Sequence, residues 1–363
     1  MGKENLGAEC APGGKERESG IELLRILAVA GVVILHYNSV GGALGYAPLN
    51  DLNYRILCAL ESAFICAVNT FMIISGYFMY GKLRVSLRKP VSLLVQLIVF
   101  EVTLYLLKVV AGQGAFAWKS LALCLIPADY FVILYVVTYL LSPYVNFLAS
   151  KLREKRLRKL LIMLFLLFSV QPWLVRIAGE VLNENMDSAT TISLFGAQGG
   201  YTIVNFIMCF MIGLGIRCGS LKAYRPLPCL VAYMLSTLLV YFLSNWNWSI
   251  SWVYYSPLVI IQAYSVFMLF KSMKINSRAI NKLARAVFTV YLLHRTFLVR
   301  SRVIDFVQGS AFLMFGHMLA TEIIIFALCF VVYQIWNMLT RAVSNCIFAK
   351  LGIPDINLES TQT

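Results

Sequence analysis

Ten apolar runs dominate the chain, most of them close to the roughly 20 residues that an α-helix needs to cross the hydrocarbon core of a bilayer. They fall at 22–41, 54–80, 90–111, 129–150, 159–178, 199–217, 227–244, 252–272, 286–300 and 312–339. Hydrophobic residues make up 60% of the 363 positions and charged residues 13%, against about 45–50% and about 25% in soluble domains of ordinary make-up. Lipid is therefore the expected solvent. The fold class that follows is all-α, a polytopic transmembrane helix bundle of about ten spans. A short amphipathic stretch at 116–126 is expected to lie in the interface ahead of the fourth span.

Charge sets the expected orientation. The net charge of +14 resides largely in short loops between apolar runs, which excludes a nucleic-acid-binding face and points to the positive-inside rule. The loops GKLRVSLRKP (81–90), KLREKRLRK (151–159), RCGSLKAYR (217–225) and KSMKINSRAINKLAR (271–285) hold nearly all the loop lysines and arginines. The intervening loops are poor in them, and one, EVLNENMDSATT (180–191), is acidic. With the basic loops inside, both termini are cytoplasmic. Residues 1–20 then form a disordered cytoplasmic tail, 21–340 the transmembrane domain and 341–363 a cytoplasmic C-terminal tail. Arg300 and Arg302 fall on the outer side against the rule. A multi-pass protein of the cell membrane, most simply the bacterial cytoplasmic membrane, fits this pattern. The run after Glu22 is read as a span, not a signal peptide, because a long polar leader precedes it and no small-residue cleavage site follows His36.

Nine cysteines are present without any Cys-x-x-Cys pair. They read as small hydrophobes, with no zinc site and no disulfide framework expected. No phosphate-binding glycine loop, Gly-x-Ser-x-Gly elbow or His-Glu-x-x-His metal motif occurs. No internal repeat is evident. Prolines stand mostly at span ends, with Pro172 and Pro257 inside spans.

Arg25 and His36 in the first span are eleven positions apart. At about 100° per residue their side chains share one face, separated by about 16 Å along the axis. Val29 and Val32 occupy the same stripe. Ionisable residues inside a span face a cavity or the bundle interior by default. Arg25 alone could snorkel to the interface, and His36 alone could make a structural hydrogen bond. The same-face pair favours a site.

This arrangement, within LLRILA…LHY, resembles the integral-membrane acyltransferase 3 family. Four further segments agree in order: FMIISGYFM (71–79), LRVSLRKP (83–90), DYFVILYVVTYLLSPYVN (129–146) and FTVYLLH (288–294). The resemblance covers about residues 20–340. It implies transfer of an acyl group, usually acetyl from acetyl-CoA, to hydroxyls of extracytoplasmic glycans. No permanently bound cofactor is implied; acyl-CoA is the donor substrate and a carbohydrate the acceptor. It further implies that His36 is catalytic, as base or acyl carrier, and that Arg25 supports it or binds the donor. Lys82, Arg84, Arg88 and Lys89 could pair with CoA phosphates, with Arg84, Arg88 and Lys89 the preferred donor-binding residues. They could equally be topology signals. Arg84 and Arg88 are four apart where the family has three. His294 matches the family's late histidine, and Asn69 stands where the family often carries an acid. These two and Tyr130, at the outer end of the fourth span, are the candidate substrate-binding residues, although Tyr130 reads first as an aromatic-belt anchor.

Other buried polar groups carry weaker expectations. Glu101 and Lys108, seven apart on one face, are expected to form structural pairs, with each other or with groups on neighbouring helices. Glu61, Glu322 and His317 are candidates to line the acceptor cavity, while Ser75 and Gly76 are expected to serve close helix packing. The alternative function is a transporter or flippase for a glycan precursor or small polar solute, which ten spans and intramembrane charges would also suit. Partners are thus acyl-CoA, a carbohydrate acceptor and the lipid bilayer, with no nucleic acid. Oligomeric state is not legible.

Overall fold

The computed structural model describes residues 18–49, 51–192, 201–221, 225–351 and 355–357. The expected disordered tail, 1–20, lies almost wholly outside them. The chain forms a helical bundle. Its first half comprises α1 (Ser19–Ser39), the short α2 (Ala43–Tyr46), α3 (Leu52–Phe64), α4 (Ala67–Met79), strand β1 (Arg84–Ser86), α5 (Arg88–Val110), α6 (Trp118–Cys124) and α7 (Tyr130–Lys151). The second half continues with α8 (Glu154–Phe165), α9 (Gln171–Leu182), α10 (Ile203–Arg217), α11 (Pro226–Trp246), α12 (Trp248–Ser251), α13 (Pro257–Lys271), α14 (Arg278–Leu283), α15 (Val287–Phe297), α16 (Arg300–Val307) and α17 (Ala311–Leu351). Strand β2 (Asp355–Asn357) returns to pair antiparallel with β1, Val85 opposite Ile356.

Among the described residues seven segments are long and apolar enough to cross a membrane: Ser19–Tyr46, Leu52–Met79, Arg88–Val110, Tyr130–Lys151, Glu154–Leu182, Pro226–Trp246 and Ala311–Thr340. The remaining three expected spans correspond to α10, α13 and α15, which have only 15, 15 and 11 residues. These three are shorter because they lie inside the bundle. A segment enclosed by protein need not cover the hydrocarbon thickness with its own helix, since neighbouring elements satisfy the backbone beyond its ends. Pro257 is likewise not inside a span. It opens α13 at its first turn, where its missing N–H costs nothing. Pro172 does lie within a continuous helical rod. It follows a single π-helical turn, Leu166–Val170, which accommodates the hydrogen bond that proline cannot make.

The core is built around α1, α4, α10 and α13. The tightest crossing joins α4 to α10 through two glycines. A Cβ on Gly76 would overlap the Phe210 carbonyl, and one on Gly213 would overlap that of Ile73. This is the small-residue packing expected where helices meet without a hydrophobic driving force between them. A polar brace secures the same layer. The Asn69 amide donates to the Tyr254 carbonyl at 2.7 Å and its Oδ1 accepts from Asn205 Nδ2 at 2.9 Å. Peripheral helices present large apolar side chains outward, such as Leu235, Leu239 and Phe242 on α11 and Ile323, Ile324 and Val331 on α17. Such a surface suits lipid, not water.

The basic loops gather at one end. The Tyr77 hydroxyl at the close of α4 donates to Glu18, before α1, and accepts from Arg217, at the end of α10. Lys271 of α13 sits over the same ring. Asn146 near the end of α7 donates to the carbonyls of Met79 and Lys82.

Because the α4–α10 crossing is backbone against backbone, Gly76→Ala is expected to cost about 1–3 kcal/mol through overpacking. Its thermal midpoint in detergent, followed by size-exclusion fluorescence, falls below wild type. Gly45→Ala, where a Cβ meets open space, leaves it unchanged.

Candidate active site

Two cavities lie one beyond the other along the bundle. Both draw on α1, α5, α7 and α15, with α4 and α17 added at the first and α6 at the second. The first, at the basic end, has a volume of about 590 Å³. The second, further from that end, has about 460 Å³. Helix α5 shows how one element serves both. Lys89 and Leu93 face the first cavity, and Leu97, Glu101, Leu104 and Lys108 face the second. These positions follow an i, i+4 or i+3 spacing, one continuous stripe of a single helix face. On α1 the stripe is Arg25 in the first cavity and His36 in the second, as the periodicity predicts, with Val29 and Val32 buried between them.

The basic-end cavity contains Arg25, Lys89 and Arg285 and no carboxylate. Arg25 is steadied by Glu22 one turn earlier, at 3.1 Å. The Lys89 ammonium lies over the rings of Tyr139, at 5.0 Å, and Tyr135, at 5.9 Å, within cation–π range. The deeper wall is apolar and aromatic, with Phe71, Phe131, Val132 and Phe288. A ligand with clustered negative charge at one end and an apolar portion at the other matches this lining.

The second cavity holds the histidines. His36 Nδ1 is hydrogen-bonded to Nε2 of His294, with the two rings near parallel at 6° and centroids 4.7 Å apart. The opposite nitrogen of His294, Nδ1, faces the carbonyls of Tyr291 at 2.7 Å and Val290 at 3.1 Å. Carbonyls only accept, so Nδ1 of His294 carries the proton. In an uncharged ring Nε2 is then an acceptor, and the proton between the rings belongs to His36 Nδ1. The chain of donors leaves the His36 Nε2 lone pair as a base. Asp129, Tyr130, Arg295, Glu101 and Lys108 complete the polar lining. Asp129 caps α7 by accepting from the Val132 N–H at 2.9 Å, and it accepts from the Tyr291 hydroxyl at 3.0 Å.

The structure thus brings together His36, His294 and Tyr130 in one cavity, and Arg25 and Lys89 in the other. Arg84 and Arg88 do not line the first cavity: Arg84 is in the strand pair and Arg88 begins α5. Asn69 faces neither cavity, because both ends of its amide are used in the brace between helices. Glu61 accepts from Asn38 at 2.7 Å and His317 pairs with the Tyr37 hydroxyl at 2.9 Å, so neither lines the second cavity. Glu322 is also absent from that lining. Among the described residues Glu101 and Lys108 form no ion pair, either with each other or with another helix; both face the second cavity instead. Ser75 lines the first cavity, whereas Gly76 packs against α10. Sequence reasoning missed Arg285, Tyr291 and Arg295. Arg285 was counted as part of a basic loop, and its one available signal was its position one helical turn before Phe288 on the Tyr291 segment. Among the described residues no group of three or more His, Cys, Asp or Glu side chains is placed to hold a metal ion.

A family model of the acyltransferase 3 type, described as an acyltransferase domain, matches residues 18–334. No curated protein and no solved structure matches the chain. The proton assignment is open to direct test, since the chain has three histidines. Nitrogen-15 spectra of histidine-labelled protein are expected to show His36 and His294 both protonated at Nδ1 and bare at Nε2. In His294→Ala the fixed tautomer of His36 is expected to be lost.

Proposed function

The chain belongs to the acyltransferase 3 family, and on that premise we propose that it moves an acyl group from acyl-CoA to a hydroxyl of a carbohydrate acceptor. Acetyl is the favoured group. In this reading the basic end is cytoplasmic, the bundle makes ten passes with both termini inside, and the protein resides in the cell membrane. A bacterial cytoplasmic membrane would offer CoA on one face and envelope glycans on the other. Residues 21–340 are the catalytic unit, flanked by the tails 1–20 and 341–363.

The observation that carries the proposal is the His36 Nε2 lone pair in one cavity with a three-cation cavity next to it along the same helix. CoA phosphates would pair with Arg25, Lys89 and Arg285, and guanidinium suits phosphate because it binds in a fork. Arg84 and Arg88 stand outside that cavity and would act only in the approach of the anion. The extended arm of CoA would carry the thioester about 16 Å along the axis, the rise between Arg25 and His36. There His36 Nε2 takes the proton of the acceptor hydroxyl as its oxygen attacks the acyl carbon. The carbon–sulfur bond breaks and the sulfur leaves with that proton as CoASH, giving an ester. In a second route through the same nitrogen, Nε2 first accepts the acyl group and then yields it to the hydroxyl. His294 acts on His36 by holding its ring and tautomer. Tyr130, Arg295 and Lys108, which line the same cavity, would meet the acceptor.

With purified protein and acetyl-CoA, His36→Ala is expected to lower CoA release by about 10²–10⁴-fold. Equal release by wild type and His36→Ala would overturn the proposal. His294→Ala is expected to approach the same loss, whereas His294→Gln, whose carbonyl can still accept from His36 Nδ1, recovers part of the rate. Lys89→Ala with Arg285→Ala raises the KM for acetyl-CoA and reduces its dependence on salt, with kcat changed little.

A further inference from the structure

The linings of the two cavities have one residue in common, Tyr291. It borders both. On one side are Val132, Phe288 and the cationic mouth; on the other are the histidine pair and Asp129. The ring rests against Phe131, with centroids 4.8 Å apart. Its hydroxyl is held by both carboxylate oxygens of Asp129, at 3.0 and 3.2 Å. Asp129 in turn is anchored as the cap of α7. Tyr291 is therefore the one side chain that borders both cavities, and a hydrogen-bonded latch holds it there, beside the buried packing of Val29, Val32 and the Gln96–Thr289 pair.

We infer that Tyr291 is a positioning and specificity residue: a latched partition that keeps outer-cavity water from the thioester and limits the size of acyl group that passes to His36. The inference rests on the donor and acceptor assignment above. Its chemical basis is the competition any acyl transferase faces. Water can replace the acceptor, its oxygen bonding to the acyl carbon while the carbon–sulfur bond breaks. One proton then ends on CoA sulfur and the other is released from the carboxylic acid formed. Excluding water from the thioester until the acceptor is in place suppresses that loss. Rotation of a single bordering side chain also admits a small acyl group, whereas a long chain requires that side chain to stay displaced. The Tyr291 carbonyl that orients His294 belongs to the backbone, so shortening the side chain leaves the histidine pair its acceptor.

Two measurements test this. In sealed right-side-out vesicles, Ser75→Cys in a Cys124→Ser background places a thiol in the basic-end cavity. A small anionic methanethiosulfonate added outside is expected to modify it slowly with Tyr291 present and at least about tenfold faster in Tyr291→Ala, the change that one tenfold step in barrier passage gives. Equal labelling in the two overturns the partition, whatever the chemistry of the protein. In the second, purified full-length protein is given acetyl-CoA or octanoyl-CoA without any carbohydrate. Tyr291→Phe, which loses the latch and keeps the ring, and Tyr291→Ala are both expected to raise His36-dependent CoA release. Only Tyr291→Ala raises the octanoyl-to-acetyl ratio. If wild type shows His36-dependent release and both variants match it in rate and ratio, the partition is wrong and the proposed function stands. If neither wild type nor variant shows any, the acyl-CoA reading fails, and the labelling result alone decides whether Tyr291 divides the two cavities.

Discussion

In hydrocarbon an unpaired backbone amide costs several kcal/mol, and no water is present to relieve it. That constraint suits the long outward-facing helices of this chain, such as α5, α11 and α17, and favours irregular backbone at places enclosed by protein. The break between α3 and α4, the turn from α12 into α13 and the 3₁₀ turn Ala284–Ala286 before α15 are such places. Short internal helices follow from the same rule. α10 and α13 need cover only part of the thickness because α4, α11 and α1 surround them. α15 can present Tyr291, His294 and Arg295, and the turn before it Arg285, to two cavities because its ends are met by protein.

The cavities exist because the helices that line them are held apart by other contacts. The glycine crossing of α4 and α10 and the Asn69–Asn205–Tyr254 brace draw one side of the core tight. α1, α5, α7 and α15 then enclose the space that remains. Helical periodicity carries a single face of α1 and of α5 through both cavities. Arg25 and His36 are therefore not partners in contact. They are successive stations, and the basicity of His36 is directed by a residue on another helix. The proton sequence from the Tyr291 and Val290 carbonyls through His294 to His36 uses only neutral donors and acceptors, an economical way to orient an imidazole where charge is costly.

Much of the fold was legible because its signals are local. Run length and loop charge predicted ten helical spans; among the described residues seven are long and apolar enough, and α10, α13 and α15, at the other three expected positions, are shorter than their apolar runs. The runs measured hydrophobicity, which a protein-enclosed segment shares with a lipid-enclosed one. The polar residues were read less well. Asn69, Glu61 and His317 carry hydrogen-bonding capacity that sequence cannot assign to a partner, and each was satisfied by the bundle itself. Arg84 and Arg88 looked equivalent to Lys89, yet only Lys89 falls on the α5 stripe that meets a cavity.

What the amino-acid sequence determined by itself is whatever depends on spacing along one helix: the bundle class, the gathering of basic loops at one end, and the shared face of Arg25 and His36. Tertiary structure alone decided what meets across the bundle. His294 lies 258 positions from His36, and Tyr291 reaches Asp129 over a separation of 162. No local pattern encodes those meetings, because they depend on how closely α4 and α10 pack and on which helices are thereby left to face one another.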